Sequence, residues 1–128
     1  MIRSLLSAAV ALSMVACDDS TSPRDEVIRP GDINVVSAPS TVTAYVPFVV
    51  EISTRGSGCL LGPAATRLEY SDDTVLIEVL DRWAARGECA DEEIIVDHSI
   101  FIELHEAGIT RIRVEGLEAE EIDIEVVL

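Results

Sequence analysis

The residues able to do chemistry are few and scattered. Two histidines, His98 and His105, stand seven apart. Side chains alternate along an extended strand, so an odd separation puts these rings on opposite faces. A shared metal site is not expected, and His98 reads as a satisfied structural histidine. Ser57 and Ser99 are the hydroxyls nearest to a nucleophile reading. No G-x-S-x-G elbow surrounds either one, and the glycines of "RGSGC" suit a turn. No phosphate loop, dinucleotide fingerprint or H-E-x-x-H is present. Cys59 and Cys89 make a poor zinc site, since zinc wants four ligands and no histidine pattern accompanies them.

Acidic residues form the densest clusters: Asp72-Asp73, Asp91-Glu92-Glu93, and Glu118, Glu120, Glu121 and Asp123. Calcium needs six to eight converging oxygens, and the D-x-D-x-D-G spacing is missing. A solvated surface that keeps strand edges apart is the simpler expectation. Trp83 is the single tryptophan and stands between Arg82 and Arg86. It is a candidate interaction anchor, because Trp and Arg are favoured in interface hot spots. Packing over a cysteine bridge is the preferred reading. No catalytic residue, cofactor or metal is assigned.

The start of the chain sets an address. Arg3 is the only charge before Cys17, and Leu5 to Ala16 is apolar or small apart from Ser7 and Ser13. Those 12 residues would make about 18 Å of helix, against a bilayer core of about 30 Å. The run suits a secretory signal rather than a membrane span. "DDSTSPRDEVIRP", Asp18 to Pro30, then reads as a tether, polar and with two prolines. The expected division is residues 1–16 as signal, 17–31 as flexible tether and 32–128 as one domain.

Met14-Val15-Ala16-Cys17 resembles the lipobox of bacterial lipoproteins, with Met14 where leucine is commoner. The resemblance implies cleavage before Cys17, a lipid on its thiol and a membrane anchor through that lipid. Asp18 resembles the inner-membrane retention signal of enteric bacteria. Two or more acyl chains anchor a protein stably where one is marginal. If Cys17 is lipidated, Cys59 and Cys89 remain, and an exported chain meets an oxidising compartment where paired cysteines bond. A bridge would close a loop of 31 residues, for which chain entropy gives about 3 to 4 kcal/mol.

From Ile33 onward apolar residues recur with a period of two. Val46, Phe48, Val50 and Ile52 share a face, as do Val75, Ile77 and Val79. Ile100, Ile102 and Leu104 oppose Phe101, Glu103 and His105. Ile112 and Val114 oppose Arg111 and Arg113, and Ile122, Ile124 and Val126 oppose Asp123 and Glu125. Leu68 and Tyr70 alternate with Arg67 and Glu69. This apolar-in, charged-out pattern belongs to half-buried antiparallel strands, and turn residues fall between the runs. Pro39 breaks an early edge strand. "LDRWAARGE", Leu80 to Glu88, is the one helix-like stretch. About seven or eight strands result, the signature of an all-β, two-sheet sandwich.

The stretch from Ile33 to Leu128 resembles a bacterial immunoglobulin-like or fibronectin-III-like domain, with "FIELHEAGITRIRVEG" and "IDIEVVL" similar to its last three strands. "PFVVEISTRGSGC", "GEC" and "EAGITRIRVEG" resemble small lipoproteins of environmental bacteria. Cys59 follows a glycine-rich turn and Trp83 lies only six residues before Cys89, unlike an antibody domain. The expected bridge therefore ties loops at one end of the sandwich.

The net charge is −15, and all nine basic residues are arginine. Such charge argues against nucleic acid as a partner. The expected protein is an exported lipoprotein, lipid-anchored to a bacterial membrane and facing the periplasm or the cell exterior. It would act as a non-catalytic binding or structural module with an envelope protein or glycan as partner. A calcium-dependent adhesion or carbohydrate-binding module and a hydrolase with an unrecognised site are the alternatives.

Overall fold

The computed structural model describes residues 25–128. Residues 1–16, read as a signal, and Cys17 lie outside the described residues. Eleven strands and no helix make up the described part, so it is all-β and sandwich-like, compatible with an immunoglobulin-like domain.

Alternation dictates the layers. β4 (Phe48–Gly56) buries Phe48, Val50, Ile52 and Thr54, and β9 (Ile94–Ile102) buries Val96, His98, Ile100 and Ile102. They pair antiparallel from Phe48↔Ile102 to Gly56↔Ile94, and β2 (Asp32–Ser37) completes a sheet ordered β2-β4-β9. Facing it is a five-stranded sheet ordered β3-β11-β10-β7-β6. Its members are β3 (Thr41–Thr43), β6 (Arg67–Tyr70), β7 (Thr74–Glu78), β10 (Gly108–Glu115) and β11 (Ala119–Val127). Val50, Ile52, Ile102, Val75, Ile77, Ile112, Val114 and Ile124 meet between the two sheets, each at most 1% exposed.

A third, small sheet is ordered β1-β8-β5, from β1 (Glu26–Pro30), β8 (Leu80–Ala84) and β5 (Leu60–Pro63). It arises because two chain segments change sheets. The first leaves β1 for β2 at Gly31, and the second leaves β7 for β8 at Val79. The two corners touch, since Gly31 N donates to Val79 O at 2.9 Å. A side chain at Gly31 would stand 2.7 Å from Thr54 and 2.9 Å from Asp81, so only hydrogen fits.

The structure revises several expectations. Glu26–Pro30, read as tether, forms β1 and pairs with β8 from Glu26↔Ala84 to Pro30↔Leu80. Leu80–Ala84, read as helix-like, is the middle strand of the small sheet; its backbone is held on both sides, by β1 and β5. Val46 lies outside β4 and is exposed. Strands outnumber the expected seven or eight because short pieces beside Pro and Gly still find ladder partners. β7 runs parallel to β10, and β3 runs parallel to β11. The larger sheet is therefore mixed rather than purely antiparallel.

Candidate functional site

Inward alternation carries three polar side chains into the interior. Thr54 continues Phe48-Val50-Ile52 on β4. Asp81 continues Val75-Ile77-Val79 through the corner into β8, and His98 stands between Val96 and Ile100 on β9. All three are buried. His98 Nε2 lies 2.8 Å from Asp81 Oδ1 and 3.2 Å from Thr54 Oγ1. A carboxylate oxygen accepts, so the His98–Asp81 bond is made by the tautomer that carries its proton on Nε2. Asp81 Oδ2 is buried without a hydrogen-bond partner.

This geometry limits the chemistry. A nucleophile–base–acid relay uses both ring nitrogens of its histidine. Here the hydroxyl and the carboxylate meet the same nitrogen, and the cluster is closed to solvent. What it does is tie the β2-β4-β9 sheet to the small sheet through a buried pair. His105 points the other way, exposed, as its parity requires. It stacks on Tyr45 with ring centroids 4.5 Å apart, and Nε2 lies 3.7 Å from Glu103. Ser99 is exposed on the outer face of β9 and Ser57 in the turn after β4, so neither serine faces the buried His98.

Cys59 and Cys89 are bonded, with Cα atoms 4.9 Å apart. The bridge joins the β4–β5 turn to the β8–β9 loop, beside the Gly56↔Ile94 end of the β4–β9 ladder. Gly58 N donates to Ala90 O at 3.1 Å across the same two loops. Trp83 pairs in register with Leu60 on one side and Val27 on the other. A side chain at Gly56 would collide with its ring, and the Arg29 guanidinium lies 5.7 Å from the ring centroid. Trp83 is thus a half-buried packing residue, and its buried Nε1 has no acceptor. Arg82 reaches Glu26 at 3.1 Å and Pro63 O at 3.2 Å, while Arg86 faces Asp25 at 3.4 Å.

Among the described residues, no three His, Cys, Asp or Glu side chains converge as a metal site. Part of the Glu118–Asp123 cluster is neutralised across the β10–β11 ladder. Arg113 bonds Glu115 at 2.9 Å and Glu121 at 2.7 Å, and Arg111 faces Asp123 at 3.5 Å. Hydrogen bonds to Glu115 and then Glu121 raise the Arg113 pKa above its ordinary value. A surface cleft of about 430 Å³ lies where β9 ends, beside the β6–β7 turn. Tyr70, Asp72, Glu103, His105 and Glu106 are among its lining residues.

Sequence reasoning missed Asp81 and Thr54 as partners of His98. The signal lay in parity, because each stands where the next inward apolar residue belongs. No protein-family model, curated protein or solved structure matches the chain.

Proposed function

We propose that this chain is a membrane-tethered, non-catalytic binding or structural module of a bacterial cell envelope, built on an immunoglobulin-like sandwich. The observation that carries the reading is the Cys59–Cys89 bridge, which suits a chain that folds in an oxidising compartment. The apolar run Leu5–Ala16 ending at Cys17 supports export and lipid attachment. The buried Asp81–His98–Thr54 cluster supports a structural use of the domain's buried polar side chains. Envelope proteins or glycans are the partners that fit such a tethered module.

The test is the intact mass of detergent-extracted protein before and after reduction and alkylation. The expected mass is that of residues 17–128 plus two or three acyl chains, with two thiols appearing only on reduction. A mass without lipid, or three thiols free before reduction, would sink the reading.

A further inference from the structure

Each sheet has two edge strands, and most of them are blunted. β3 has three residues, and β6 has four with Arg67 and Glu69 among them. β2 carries a bulge between Ile33 and Val35. β1 ends on Arg29-Pro30 and β5 on Gly62-Pro63. Short length, charge, proline and bulges are the devices that stop edges from recruiting other strands.

β9 is different. It is nine residues long and in unbroken register with β4, and it holds no proline or glycine. Among the described residues its only ladder is with β4, and β5 comes close to it without hydrogen-bonding to it. On its outer face Ile95 is 48% and Phe101 71% exposed, with Asp97 the only charge. An unpaired edge of this kind is a template for strand addition.

The sequence of β9 says which strand fits. Read about His98, "IIVDHSIFI" is symmetric in chemical class. In an antiparallel pair centred on His98, Ile94 faces Ile102, Ile95 faces Phe101, Val96 faces Ile100 and Asp97 faces Ser99. Every apolar residue meets an apolar residue, and no aspartate meets another across the pair. Cross-strand pairs of this kind stabilise a sheet, and like charges placed opposite destabilise it. A two-fold axis demands such self-complementarity of a surface. We propose that β9 pairs antiparallel with β9 of a second copy of this chain, centred on His98, giving a continuous six-stranded sheet. The inference stands apart from the envelope reading, because a soluble or an anchored chain offers the same edge.

Sedimentation equilibrium of the full chain over a range of concentrations tests it, in density-matched detergent if Cys17 is acylated. A monomer–dimer equilibrium is expected. Ser99→Asp would place two aspartates opposite Asp97 of the other copy, one at each symmetric position. It should weaken the dimer about tenfold. Ser99→Arg would create two opposite-charge pairs and should tighten it by a similar factor. Ser40→Asp and Ser40→Arg, at an exposed site off β9, add the same charges elsewhere and should move the equilibrium much less. Melting curves establish that each variant keeps its fold. A chain that stays monomeric to about 1 mM, the weak end of specific association, would overturn the proposal. So would Ser99 variants that shift the equilibrium in the same direction, or no more than the Ser40 controls do.

Discussion

Asp81 and His98 come from different sheets and meet at 2.8 Å with both side chains sealed from solvent. Neither can be removed alone without cost. His98→Ala leaves a buried carboxylate with no partner, and breaking a buried pair in this way costs about 3 to 5 kcal/mol. Urea unfolding should show that loss. Asp81→Val combined with His98→Leu should lose less than the sum of the two single changes, because no charge is left stranded. Additive losses would mean that the two residues do not act as a pair.

The Cys59–Cys89 bridge spans 30 positions in sequence. Its loop holds the small sheet's β5 and β8 together with β6 and β7. Reduction, or Cys59→Ala with Cys89→Ala, should lower stability by about 3 to 4 kcal/mol. Denaturant midpoints measured with and without reductant check this, and the double variant should be insensitive to reductant.

Gly116 closes the turn of the β10–β11 hairpin directly over the corner at Gly31. Leu117 N donates to Gly31 O at 2.8 Å, and a side chain at Gly116 would run into that same oxygen. A backbone atom cannot swing aside as a side-chain end can. Gly116→Ala should therefore destabilise by about 1 to 3 kcal/mol. An unchanged melting temperature would show that the corner gives way easily.

Tyr45 has a positive φ of 64° at the third position of the Thr43–Val46 turn, where glycine is favoured. It also stacks on His105. Tyr45→Ala gives up the stack and keeps the unfavourable φ, a loss of about 1 kcal/mol. Tyr45→Gly gives up the same stack and relieves the backbone, so the two effects nearly cancel. Thermal melts of the two variants should differ, with glycine the more stable.

The sequence made the layers legible where alternation was strong. Phe48, Val50 and Ile52, Val75, Ile77 and Val79, Ile100, Ile102 and Leu104, and Ile112 and Val114 all face inward as their parity requires, whereas Leu68 and Tyr70 on the short edge strand β6 are exposed. The same parity separated His98 from His105. Alternation also pointed to Thr54 and Asp81, but polarity masks an inward position whenever its partner lies on a distant strand. Leu80–Ala84 was obscured because its strand character comes from two neighbours, one of them in the segment read as tether. Parallel pairing of β7 with β10 was equally hidden, since a strand's own residues do not reveal its direction relative to another. The Cys59–Cys89 pair was legible from counting cysteines, and its loop-to-loop placement from the glycines around Cys59.

The order β3-β11-β10-β7-β6 puts β10 and β11 at the centre of the larger sheet, although they follow all the others in the chain. β3 and β7 have no ladder with each other; each waits for a partner that comes later, β3 for β11 and β7 for β10. A chain delivered to its folding compartment from the amino end therefore arrives as two flanks lacking a keystone. The core that holds Val50, Ile52, Val75 and Ile77 also needs Ile112, Val114 and Ile124, so it is complete only once residues 108–127 enter. Such non-local closure is slow, and a nascent chain stalled before Gly108 would be prey for proteases and holding chaperones.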